Sequence, residues 1–514
     1  MKTTGETDTA EPEITGAKTD GNIGINTLEE SKRTGFFSQL KHPVFRRKVL
    51  HTMWIFWSFV MLGFIMGQRG PSFLDLLIIT NTDLKRGSAF FTGQAVGYLV
   101  GSFLMGVVYD KLTKSLLMFF SVFFMGVTVG IIPFCSPYVL MIAMCFLNAV
   151  CLGGVDTGGN AELFRIWGSE SRQYLLAIHF AYSIGGTISP VVTEPFLVPK
   201  EQDVANTEND TYAVHQRFDT NTSSSWDATG SSSYSTFTFE PVSNFSANNI
   251  TDVVLAEHTH VFIAYLIGSV LTVAFSIPFL VMFVKDRTRP KKREPGPEVE
   301  NDNHLSKPLF GSTIFLLCLF YMLYSGAEDT FSTFLLTFTV KGLDWTKTQG
   351  SQVTSASWAA LSIGRFLGIF THNCISTVKL LFLCNTGLIL SLLALLLSAH
   401  FQFFLGIWFF AVTVGLSMSV VFPAAFVWAE EDLFRVTGRV SAAILCSTAA
   451  GTMINPIILG NLMQQYTPMW YCYLLSADSV VCTAVFLVVV FLSRKYIKRK
   501  ASFKQQLTVE VTRV

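Results

Sequence analysis

The sequence predicts an all-α membrane protein, with about twelve transmembrane helices in two six-helix pseudo-repeats. Three observations lead there. Half of the 514 residues are hydrophobic and only 14% are charged, against about 25% charged in soluble domains. Apolar stretches near 20 residues long recur along the chain, the length needed to cross a bilayer. Short motifs from the first half return in the second at a near-constant spacing. A net charge of +1 gives no reason to expect a nucleic-acid partner.

Residues 1–47 are rich in Thr, Glu, Gly and Lys and lack an apolar stripe, which reads as a disordered cytoplasmic tail. They also lack a signal-peptide apolar core, so the first apolar segment is expected to serve as an uncleaved anchor. Spans are expected near 49–72, 87–109, 115–134, 138–162, 173–197 and 259–284, then 309–338, 347–370, 379–399, 401–427, 438–463 and 470–493. The domain plan is an N-terminal bundle over 48–285, a cytoplasmic linker over 286–308, a C-terminal bundle over 309–493 and a basic cytoplasmic tail over 494–514.

Orientation follows from the basic flanks. Arg46, Arg47 and Lys48 precede the first span, Lys285 through Arg293 follow the sixth, and Arg494 through Lys500 follow the last. Twelve alternating spans put all three clusters on one side, the cytoplasmic one. The loop 198–258 then lies outside, and its sequons at Asn209, Asn221, Asn244 and Asn249 fit glycosylation there. A plasma-membrane location with both termini inside is expected, and the basic tail suits anionic lipid.

The halves repeat at a spacing of 263–270 residues. Gly101-Ser102-Phe103-Leu104 matches Gly364-Arg365-Phe366-Leu367. Ala161-Glu162 and Leu163-Phe164-Arg165 match Ala429-Glu430 and Leu433-Phe434-Arg435. Ser183 through Pro190 matches Ser447 through Pro456. Two six-span halves related by an axis along the membrane normal describe the major facilitator architecture.

The fourth span ends in Gly153-Gly154-Val155-Asp156-Thr157-Gly158-Gly159-Asn160. A carboxylate inside a membrane span is costly and usually marks an ion or substrate path. Asp156 and Asn160 share a helical face. With Thr157 and carbonyls loosened by the glycines, they would offer oxygens to Na⁺; with His179, a proton site. Helix packing is the competing explanation of the glycines. Gln94, Glu328, Trp358 and Asn455 join His179 as candidate substrate residues, because amides and an aromatic face suit a neutral, hydroxyl-rich solute. Glu328 either contacts substrate or pairs with Arg69, while Asp329 is expected to point elsewhere. Gly106 through Lys114 partly matches a cytoplasmic signature in which Asp110 pairs with a basic group. Glu162 with Arg165, and Arg365 with Glu430 or Glu431, are further candidates for gating pairs.

Asp156-Thr157-Gly158-Gly159-Asn160 resembles the Glu-Thr-Ala-Ala-Asn motif of bacterial fucose permeases. With Gly70-Pro71-Ser72-Phe73-Leu74-Asp75, Ile166-Trp167-Gly168, His179-Phe180, Ser189-Pro190 and Gly326-Ala327-Glu328, the chain resembles the sodium-dependent glucose transporter 1 branch of the major facilitator superfamily. The resemblance implies Na⁺-driven uptake of glucose or a similar hexose. In fucose permeases the carboxylate matching Asp156 takes part in proton coupling, which keeps H⁺ open as the cation. The competing expectations are a uniporter or H⁺-coupled carrier of another neutral solute such as urea, and a non-transporting receptor or scaffold whose Thr512-Arg513-Val514 end fits a PDZ domain. No spaced metal-ligand cluster or phosphate-binding glycine loop occurs outside the spans, which argues against an enzyme and against a cofactor.

Overall fold

The computed structural model describes residues 40, 42–109, 111–168, 171–198, 259–287, 307–371, 375–434 and 438–497. Asp110, the four sequons, most of the linker and Val514 lie outside them. By packing, the chain groups into Met1–Met53 and Trp54–Val514; the architecture below is that of the second unit.

Among the described residues twelve long helices form, as expected of apolar segments that must satisfy every backbone group internally in lipid. They are α1 (Pro43–Thr80), α2 (Leu84–Val108), α3 (Lys114–Ile131), α4 (Tyr138–Trp167), α5 (Ser171–Thr193), α6 (Val261–Arg287), α7 (Lys307–Gly342), α8 (Lys347–Thr371), α9 (Thr377–His400), α10 (Phe404–Leu433), α11 (Gly438–Gln465) and α12 (Trp470–Leu492). Among the described residues, eleven are long and apolar enough to cross a membrane. The other is α8, which carries Lys347, Gln349, Ser351, Gln352, Ser355, Ser362 and Arg365 along its length. It packs against α5, and α2 packs against α11, so these pairs join the two halves.

The internal repeat appears in the backbone. Asn81 in the α1–α2 turn and Asp344 in the α7–α8 turn both adopt positive φ, at 47° and 55°, a region that Asn and Asp enter more readily than most residues. They are 263 positions apart, as are Gly101 and Gly364. Helix crossings repeat too. A Cβ on Gly63 would overlap the Tyr182 carbonyl, and one on Gly185 the Val60 carbonyl, so α1 and α5 touch backbone to backbone. One on Gly451 would overlap the Met322 carbonyl, which gives α7 and α11 the same seat.

α10 is broken at Ser419–Val420, between the helices Phe404–Met418 and Val421–Trp428. A break in lipid is tolerated where neighbours re-satisfy the freed carbonyls. Here Tyr324 donates to Met418 O at 2.6 Å, Arg365 Nε to Ser419 O at 3.4 Å and Tyr321 to Phe422 O at 3.3 Å. Tyr321 and Tyr324 therefore serve the buried C-terminal core with Phe320, Trp428 and Phe486.

At the end of the bundle that carries residues 198 and 259, the halves meet closely. Ser351 donates to Pro190 O at 2.7 Å, Ser355 to Thr187 O at 2.6 Å and Thr348 to Glu194 at 2.6 Å. Gly70 sits on the Ser332 and Thr333 backbone, and Gly460 on Ser88.

Candidate transport site

α4 runs unbroken through the Asp156 stretch. Its glycines are packing seats: Gly153 on the α2 backbone, Gly158 on Met118, Gly159 on the Phe59 ring. The carbonyl cage expected from a loosened backbone does not form, since the helical ladder holds those carbonyls. Asp156, Thr157 and Asn160 are half-buried. Asp156 accepts from the Tyr98 hydroxyl of α2 and from Asn160 Nδ2 at 3.0 Å, and Asn160 Nδ2 also lies 2.9 Å from Asp156 O. Among the described residues, no basic side chain pairs with Asp156. The His179 ring stands roughly perpendicular to the Phe59 ring, with centroids 6.2 Å apart. Since Phe59 also seats Gly159, its ring stands between α4 and α5, and the expected Asp156–His179 partnership is not made.

The centre is instead knit by two ion pairs. Arg69 of α1 donates to Asp329 of α7 at 2.6 Å and to Gln94 Oε1 of α2 at 3.1 Å. This corrects the expected Arg69–Glu328 pair: Asp329, one residue on, turns toward α1. Glu328 pairs with Arg365 of α8 at 3.4 Å. That in turn corrects the expected pairing of Arg365 with Glu430 or Glu431; Glu430 is exposed, and Glu431 accepts from Thr377 at 3.1 Å. Arg365 also donates to His179 O at 3.1 Å and lies over the Tyr182 ring at 5.5 Å. Tyr182 meets Trp358 at 5.8 Å, and Trp358 covers Gly186 with its buried Nε1 unpartnered. Gln94, His179, Glu328 and Trp358 thus share one network through Arg69 and Arg365. Asn455 stands apart, donating to Asp478 of α12 at 2.7 Å.

Sequence reading missed Asp478, Asp329 and the partner role of Tyr98. The same cost argument that selected Asp156 applies to Asp478 in its apolar span. Nothing in the sequence could have told which of the adjacent Glu328 and Asp329 faces which arginine.

Glu162, fully buried, pairs with Arg165 on its own helix, as expected, and accepts from Tyr109 at 2.5 Å. Burial, then the nearby Glu162 charge, raise the Tyr109 pKa above its ordinary value, so the phenol stays a donor.

A family model described as Major Facilitator Superfamily matches residues 253–456. Human sodium-dependent glucose transporter 1 is 24% identical over 84% of this chain and 77% of its own. The Danio rerio protein of that name is 28% identical over 84% and 67%. Among solved structures, a bacterial homolog of the human lysosomal transporter Spinster, inward-facing and occupied, aligns with TM-score 0.60 at 10% identity, over 88% of this chain and 97% of that one. The E. coli fucose:proton symporter aligns with TM-score 0.51 at 15% identity, over 87% and 99%. Part of the chain, residues 253–456, thus matches the Major Facilitator Superfamily model, its eleven long apolar helices make it a multi-pass membrane protein with the fold of these solved transporters, and over most of its length it resembles the sodium-dependent glucose transporter 1 branch.

Proposed function

We propose that the chain is a cation-coupled symporter of glucose or a similar hexose, working by alternating access between its two six-helix bundles, with Na⁺ as the cation. Asp156 carries the reading: an intramembrane carboxylate met only by hydroxyl and amide donors among the described residues, while Asp329 and Glu328 each have an arginine. A carboxylate already neutralised by a cationic side chain has little left to offer a passing ion. Gln94, His179, Glu328, Trp358 and Asn455 are the proposed sugar contacts, and Thr157 and Asn160 complete the cation site. Na⁺ is the choice because the relatives named above bear that dependence in their names. Asp110, Glu162, Arg165, Arg365 and Glu430 remain the proposed gating charges.

A second reading, H⁺ as the cation, is favoured by one observation. Tyr98 and Asn160 already donate to the carboxylate, and donors compete with a metal ion for its oxygens. Hexose uptake measured with and without Na⁺ at fixed pH, then across pH without Na⁺, separates the two. Asp156→Asn is expected to abolish ion-driven accumulation while sparing sugar counterflow. Undiminished concentrative uptake in that variant would refute the role.

Glycans at Asn209, Asn221, Asn244 and Asn249, a plasma-membrane address, lipid contact by the basic tail and a PDZ partner at Val514 complete the proposal. Glycosidase treatment of the expressed protein should sharpen and lower its band; an unchanged band would remove the glycans.

A further inference from the structure

Asp75 ends the Gly70-Pro71-Ser72-Phe73-Leu74-Asp75 stretch, and the transport site does not use it. Its side chain is fully buried. Lys347 Nζ, from the first residue of α8, meets Oδ1 at 2.5 Å. Val198 N at 2.9 Å and Thr259 Oγ1 at 3.1 Å meet Oδ2. One carboxylate thus joins α1, the residues that flank 199–258, and the other half of the molecule.

Lys347 is nearly as enclosed, with 10% of its side chain exposed. A lysine at a helix N-terminus faces the positive end of the helix dipole. Among the described residues, Asp75 is the one carboxylate paired with it. Separating such a pair leaves each charge without its partner in a poorly solvated place. The bonds beside it, Ser351 to Pro190 and Ser355 to Thr187, are weaker neutral contacts across the same seam.

We propose that Asp75 and Lys347 form the latch that holds this end of the transporter shut. The halves part there only when Lys347 leaves Asp75 for water. Asp75 keeps Val198 and Thr259 as donors after the parting, so the carboxylate stays on the N-terminal half and the lysine moves with α8. The proposal rests on alternating access but not on the choice of ion or sugar.

The test uses full-length protein in nanodiscs, which expose both faces. Ser351→Cys reports the seam. An aqueous thiol reagent is applied and modification is read by peptide mass spectrometry, with buried native Cys145 as the unfolding control. Cys at 351 should react slowly with the latch intact. It should react about tenfold faster or more with Asp75→Asn or Lys347→Met, the scale of a population shift when one state loses a contact. Lys347→Arg should stay slow, and Cys145 should stay protected throughout. Equal rates with and without the latch overturn the proposal. So does Lys347→Arg reacting as fast as Lys347→Met, since charge would then not be what holds the seam. Modification of Cys145 in both latch variants would make the pair a folding element instead, and also overturns it. Failure of Na⁺-driven uptake would remove the coupling reading and leave this result standing.

Discussion

Asp329 and Asp478 have the same headgroup inside the membrane and different partners. Asp329 neutralises Arg69, so Asp329→Asn strands a guanidinium and should cost about 3–5 kcal/mol. Thermal unfolding in detergent should show this, with much of it recovered when Arg69→Met is added. Asp478 is held by the Asn455 amide alone among the described residues, and Asp478→Asn should fall within about 1 kcal/mol of the parent. Equal losses in the two variants would mean that partner charge does not set the cost. At the proposed cation site, Tyr98→Phe removes one donor that competes for Asp156, and should lower the half-saturating cation concentration by roughly threefold to tenfold. Unchanged cation dependence would take Tyr98 out of the site. Asp156 was legible because its cost is written in composition alone. The arginine partners were not: Glu328 and Asp329 differ by one residue, about 100° around the helix, and only packing decides which way each faces.

Among the elements, the crossings and the break were legible to different degrees. Gly63 and Gly185 at one crossing, and Gly451 at its counterpart, belong to a repeat that the sequence displays. The interruption of α10 at Ser419–Val420 is announced locally by Pro423, which has no N–H for the Ser419 carbonyl four residues back and whose ring crowds it. It is tolerated because Tyr321 and Tyr324 of α7 and Arg365 of α8 reach across to donate to the loose carbonyls. Tyr324→Phe leaves Met418 O without its donor and should destabilise the protein by about 1–3 kcal/mol. Measured in detergent, a loss under a few tenths would mean the break satisfies itself. Helical periodicity shows that residues share a face, but not whether that face meets a core or a cavity.

For the whole molecule, coupling demands reciprocity. If Na⁺ tightens hexose binding by some factor, hexose must tighten Na⁺ binding by the same factor. Titrating each against the other in purified protein checks this, and independence of the two affinities would leave a facilitator and not a symporter. The two-bundle plan was legible from spacing and span length. The seam was not, because contacts such as Arg69–Asp329 and Asp75–Lys347 join residues about 260–270 positions apart. The shortfall of α8 in apolar character bears on how the chain is made. A segment carrying Lys347, Arg365 and so many hydroxyls partitions poorly into lipid by itself. It enters the bilayer on the arm of its predecessor, so the ribosome-bound intermediate that ends after α8 is the one most exposed to rejection by the insertion machinery.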